Sequence, residues 1–188
     1  MLILGFLYPA AALCGVEINS AAARVCSENI KLNGFSGRGR VIDGDIRRSR
    51  VLFGAGEFDL AVCNPPYFPK GSGKTAQDKA RAAARSEEEC SLAEIASAAA
   101  YLLRWGGRLN LVHRPERLSE VFCQMSEAGL EPKRLRFVMK DAESAPSLFL
   151  VEGRRGGKPG LNVEAPLILT SQDGGESDEV KRIYRRSC

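Results

Sequence analysis

The chain has 188 residues, of which 44% are hydrophobic and 27% charged, a globular composition that excludes a disordered or fibrous protein. Against 27 Lys and Arg stand 23 Asp and Glu, a formal net charge of +4 that admits an anionic partner without requiring one. No apolar run approaches the ~18–20 residues of a membrane span, and this length can bury a core without disulfide or metal staples.

The apolar opening Met1-Leu2-Ile3-Leu4-Gly5-Phe6-Leu7 predicts a buried, truncated helix. It has no positive charge before Arg24, so it does not read as a signal peptide, and a cytoplasmic protein with no membrane contact is expected. Leu13 to Ile18 reads as a short buried strand carrying the acid Glu17. Asn19 is a good N-cap for a helix from Ser20 to Leu32, which Asn33-Gly34 closes. Arg40-Val41-Ile42 predicts a strand running into Asp43-Gly44-Asp45, and a looser basic stretch follows over residues 47–50. The clearest strand, Phe58 to Cys63, is cut off by Asn64-Pro65-Pro66-Tyr67. Residues 68–86 read as a long loop giving way to a helix. Ser91 to Arg104 carries an apolar stripe of helical period, ended by Gly106-Gly107. A strand over Arg108 to Val112 and a helix over Glu116 to Ala128 come next. Short strand patterns fill Pro132 to Leu169, and the polar tail 171–188 is expected to fray.

Alternating strands and helices predict an α/β fold with a central, mostly parallel sheet and helices on both faces, as one domain over 1–188. Ligands of such sheets gather at the carboxyl ends of the strands, where Glu17, Asp45 and Asn64 all fall. The six cysteines are scattered, with no Cys-x-x-Cys pair and a single histidine, His113. Free thiols and no metal site are therefore expected.

A carboxylate at a strand end, such as Glu17, can accept two hydrogen bonds from a ribose diol, and Asp45 can accept from an adenine amino group. Each acid taken alone is also consistent with a solvated carboxylate or a turn. The strongest signal is Asn64-Pro65-Pro66-Tyr67. The Asn oxygen and the carbonyl of the next residue can accept both N–H donors of an exocyclic amine, the two prolines stiffen the backbone, and Tyr67 offers a flat face to a flipped base. Gly71-Ser72-Gly73-Lys74-Thr75 ends like a phosphate-binding P-loop, but Phe68 stands where that pattern needs glycine. A loop offering Lys70, Lys74 and Lys79 to phosphates fits better, and a merely solvated loop fits nearly as well. His113, beside a Pro-opened helix, reads as structural rather than as a base. Arg47, Arg48, Arg50, Lys133, Arg134, Arg136, Arg154, Arg155 and Lys158 are either phosphate contacts or scattered surface charge.

Residues Phe58 to Phe68 resemble the motif IV region of class I S-adenosylmethionine-dependent amino-methyltransferases. The chain is more closely similar to the tRNA1(Val) (adenine-N6)-methyltransferase family, whose target base lies beside the anticodon of a valine tRNA. Gly15-Val16-Glu17-Ile18 resembles the family's ribose-binding strand and Gly44-Asp45-Ile46-Arg47 its adenine-binding turn. Gly71 to Lys74, Ala84 to Glu87, Val112 to Arg117, Glu131 to Arg134 and Pro166 to Leu169 are similar to further segments.

The resemblance implies a Rossmann-like sheet, S-adenosyl-L-methionine as cofactor and tRNA as partner. Glu17, Ile18, Asp45, Ile46 and Asn64 would hold the cofactor, and Asn64, Pro65, Pro66 and Tyr67 the target adenine. Aligned this way, Met1 falls inside the helix after the family's Gly-rich turn, so the first strand and that loop are expected to be absent and the domain incomplete at its N-terminus. Two other readings follow from the same motif: a protein glutamine N5-methyltransferase, and a non-catalytic remnant that binds RNA.

Overall fold

A computed structural model describes residues 1–65 and 90–184, which divide into two compact units, Met1–Phe53 and Gly54–Cys188. The first unit contains helix α1 (Leu2–Leu7), strand β1 (Leu13–Glu17), helix α2 (Ser20–Leu32), strand β2 (Gly39–Asp43), a 3-10 turn (Ile46–Arg48) and the short helix α3 (Ser49–Leu52). β1 and β2 pair in parallel from Leu13 opposite Gly39 to Glu17 opposite Asp43, so both strands end level. α2 begins where predicted because the Asn19 side chain accepts the Ala22 N–H at 3.0 Å. It stops at Asn33, where Gly34 turns the chain at φ +72°, a conformation that suits glycine.

The opening residues do form a helix, but not a buried one. Gly5 is its sole buried residue, while Ile3 and Phe6 are 63% and 56% exposed. What holds α1 is Arg38, whose guanidinium donates to the carbonyls of Gly5 (2.6 Å), Ala11 (2.9 Å) and Tyr8 (3.3 Å) and lies 4.5 Å above the Phe35 ring. A cation on the orphan carbonyls of a helix end is a favourable cap.

The second unit is built on β3 (Phe58–Cys63), α4 (Leu92–Leu102), β4 (Leu103–His113), a 3-10 turn (Pro115–Arg117), α5 (Leu118–Glu127), β5 (Leu130–Met139), β6 (Leu148–Arg155), β7 (Asn162–Val163), β8 (Leu167–Ile168) and α6 (Asp178–Ile183). The sheet order is β3-β4-β6-β5-β7, with β8 also on β5. β3 and β4 are parallel, as are β7 and β8 with β5, while β6 runs antiparallel to both its neighbours. The sheet is thus mixed, because the link from β5 to β6 is too short for the crossover that a parallel partner needs. It turns on Asp141, whose carboxylate takes the Ser144 hydroxyl (2.6 Å) and the Glu143 N–H (3.1 Å).

One face of this sheet carries the core. Leu92, Ile95, Ala96 and Ala99 of α4 and Val121 and Met125 of α5 close over Leu109, Leu111, Leu135, Phe149 and Val151. α4 starts on a capping box in which Ser91 N–H donates to Glu94 (2.7 Å) and Glu94 N–H to the Ser91 hydroxyl (3.2 Å). Two boundaries differ from the sequence reading. β4 begins at Leu103 rather than Arg108, with Gly106 (φ +79°) inside a bulge where pairing jumps from Phe58–Leu103 to Leu60–Arg108. The tail expected to fray forms α6, capped by Ser177 and held by buried Val180 and by Arg136, which bonds Glu179 at 2.7 Å.

Candidate active site

In the first unit the two candidate acids stand at the carboxyl ends of paired parallel strands. Glu17 ends β1, and its Oε1 accepts the Asn19 N–H at 2.9 Å, while Asn19 caps α2 with its own side chain. Strand end, acid and helix start are therefore one hydrogen-bonded corner. Gly44, in the turn after β2, donates its N–H to the Glu17 carbonyl at 3.0 Å. That bond ties the turn carrying Asp45 to the strand carrying Glu17.

Asp45 initiates the 3-10 turn. Its Oδ1 accepts the Arg47 N–H at 2.9 Å, and its Oδ2 accepts from Arg47 Nε at 2.6 Å. The Arg47 hydrogen bond holds the Asp45 carboxyl below the usual carboxylate range. Arg47 was read from the sequence as a possible phosphate contact, and this partnership with Asp45 was not anticipated. The signal was present as an N-cap acid followed two residues later by arginine.

The acids fit a nucleoside-bearing cofactor on their donor sets. The Asn19 N–H bond to Oε1 orients the Glu17 carboxylate and leaves Oε2 for hydroxyl donors. Asp45 Oδ2 lies 2.6 Å from both Nε and Nη2 of Arg47, whereas Oδ1, with the Arg47 N–H on it, retains a lone pair for an amine N–H. Ile18, 38% exposed, and half-buried Ile46 follow the two acids and leave apolar surface accessible.

In the second unit Asn64 follows β3 directly, exposed, and Pro65 after it is buried, so the amide rides on a fixed backbone. Burial pushes the thiol of the preceding Cys63 up to about 11; it stays protonated and inert at neutral pH. Pro66 and Tyr67 lie outside the described residues, as do Lys70, Lys74, Lys79 and the Gly71–Thr75 segment. His113 at the end of β4 is wholly buried. Its Nδ1 accepts the Arg114 N–H at 2.8 Å, its ring stacks on Phe149, and burial lowers its pKa.

Several of the basic candidates are engaged within the chain. Arg134 pairs with Glu164 at 2.7 Å, Arg136 with Glu179, Arg155 donates to the Leu103 carbonyl, and Lys133 donates to the Lys158 carbonyl. The five described cysteines, Cys14, Cys26, Cys63, Cys90 and Cys123, are free thiols. No helix among the described residues is long and apolar enough to cross a membrane.

No protein-family model matches the chain. It is 34% identical over 155 residues to the tRNA1(Val) (adenine(37)-N6)-methyltransferase of Porphyromonas gingivalis strain W83, covering 81% of this chain and 60% of the relative. The protein of the same name from Tolumonas auensis is 34% identical over 164 residues, covering 87% of this chain and 66% of the relative. By sequence similarity the chain is a homologue of these methyltransferases.

The homologue spans 60% to 66% of the length of these relatives. Its fold is that of class I methyltransferases. A predicted O-methyltransferase from Agrobacterium tumefaciens superposes with a TM-score of 0.78 at 17% identity, covering all of this chain and 84% of the other. The α/β class read from the alternation of elements thus agrees with the fold of this neighbour.

Proposed function

We propose that the homologue transfers a methyl group from S-adenosyl-L-methionine to N6 of an adenine beside the anticodon of a valine tRNA, in the cytoplasm, as a single methyltransferase domain. The observation that carries this reading is the identity of about a third with relatives named for that reaction, joined to an Asn-Pro pair placed directly after the strand β3.

S-adenosyl-L-methionine supplies the methyl group as an electrophile on a sulfonium sulfur. Glu17 accepts the ribose hydroxyls and Asp45 the adenine amine of that cofactor, with Ile18 and Ile46 against its ring. The Asn64 side-chain oxygen and the Pro65 carbonyl each accept one N–H of the target amine, which draws the nitrogen lone pair out of the ring and aims it. Tyr67 offers its face to the flipped base. The amine proton leaves to water. Neither neighbouring titratable group competes for it, since burial disfavours the protonated form of His113 and Cys63 holds its own proton.

The relatives are named for an adenine acceptor, which favours that acceptor over the glutamine amide. Incubation with unmodified valine tRNA transcript and methyl-labelled S-adenosyl-L-methionine tests the reading. N6-methyladenine in the digested RNA is the expected product; unlabelled RNA beside a labelled release-factor peptide would replace this reading with the glutamine one. Label in neither acceptor would leave the non-catalytic remnant.

A further inference from the structure

We propose that Trp105, backed by the turn after β6 and with the Arg154 guanidinium near it, docks an unpaired nucleotide of RNA at the end of the sheet opposite Asn64. Trp105 is the single tryptophan of the chain and is 78% exposed. It sits in the bulge that opens β4, and a side chain at Gly156 (φ +65°) would run into its indole ring. The ring therefore lies against the Gly156 turn while most of its surface meets solvent. That turn is fixed in place by Arg155, which donates to the Leu103 carbonyl. The exposed face of the indole is a platform on which a base can stack.

Arginines gather at the same end of the sheet. A Cβ at Gly106 would lie 3.5 Å from Arg154 Nη2, so that guanidinium sits beside the residue next to Trp105. Arg154 and Arg108 stand directly opposite each other across β6 and β4, a like-charge pairing that destabilises a sheet. Lys158 adds a cation in the same turn region. The acids there include Glu131, opposite Arg154 on β5, Glu152, 3.8 Å from Arg108 and shared with Arg134, Asp59, paired with Arg104 at 2.5 Å where both are well exposed, and Glu57, which follows Gly56 beside Arg104. A ring with a firm back and the Arg154 guanidinium near it suits base stacking with a phosphate contact alongside.

The six-residue β3 rises ~3.3 Å per residue, which puts this end of the sheet about 20 Å from Asn64. The site is thus a second contact for the same RNA rather than part of the methyl-transfer pocket. RNA as the partner rests on the proposed tRNA reading, whereas the ring and its cations do not.

The single tryptophan makes the test direct. The full chain is titrated with unmodified valine tRNA transcript and with oligouridylate while its emission is followed. Saturable quenching by both RNAs is expected. Trp105→Ala should weaken RNA binding about tenfold and Trp105→Phe much less, and Arg154→Glu should weaken it while lowering the salt slope by at least about one. Unchanged emission on RNA binding, wild-type affinity of Trp105→Ala, or equal quenching by heparin would overturn the proposal. If Trp105→Ala does not fold, the wild-type emission and Arg154→Glu decide. Quenching with no methyl transfer would count against the proposed activity and leave this site standing; methyl transfer without quenching would do the reverse.

Discussion

Arg47 folds back onto Asp45, its Nε 2.6 Å from Oδ2 while its backbone N–H donates to Oδ1 at 2.9 Å. The guanidinium orients an acid that is proposed to accept from a cofactor amine. Asp45→Ala should lower S-adenosyl-L-methionine affinity about tenfold by calorimetry, because a charged hydrogen bond is lost. Arg47→Ala leaves the acceptor in place and should change affinity less than about threefold. Equal losses in both variants would mean the ion pair itself is what the cofactor needs.

Asn64 is assigned the target amine. Asn64→Ala removes one of two acceptors that matter as the amine nitrogen becomes nucleophilic, so kcat should fall by about a hundredfold or more. Label incorporated into valine tRNA transcript measures it. A variant within threefold of wild type would remove Asn64 from the chemistry.

His113 couples folding to pH. Its folded pKa lies below the ordinary 6.5, with burial the leading cause. The unfolded chain therefore binds a proton that the folded chain refuses as pH drops below that value. This contribution to stability is full above pH 6.5 and is lost on acidification toward the lower folded value. Urea unfolding midpoints should fall across that window, and His113→Gln should flatten the slope there. Acids held down by cationic partners, such as Asp45 and Glu120, add their own loss only at lower pH. An unchanged slope in the variant would show that another group titrates.

Gly153 of β6 lies under α5, where a Cβ would collide with the Met125 side chain. Gly153→Ala should cost about 1–3 kcal/mol by overpacking, read from denaturant curves. In a Met125→Ala background the same change should cost less, since the collision is gone. Additive effects would place the strain elsewhere.

Much of this was legible in the chain, and the reasons differ by element. α2 was read to the residue because Asn19 and Asn33-Gly34 are local signals that carry their own hydrogen bonds. β3 was equally plain, an apolar run stopped by proline. β4 was cut short because Gly106-Gly107 reads as a helix stop, yet here it forms a bulge sustained by pairing with β3. That is a tertiary effect. α6 was missed for a similar reason: its one buried apolar residue, Val180, gains a place only through contacts made by the β-strands. Glu17, Asp45 and Asn64 were chosen for their positions after strands, and each does stand at or just after a strand end. The Gly44 link and the Arg47 clamp depend on register and turn geometry, which composition does not encode.

The bond from Gly44 to the Glu17 carbonyl sets the spacing of the two acids. Because β1 and β2 end level and the turn is stitched across, a one-residue slip of β2 along β1 would break that bond and carry Asp45 away from its place beside the Glu17 strand end. A substitution can change either acid singly, whereas a change of register costs the pairing that holds both.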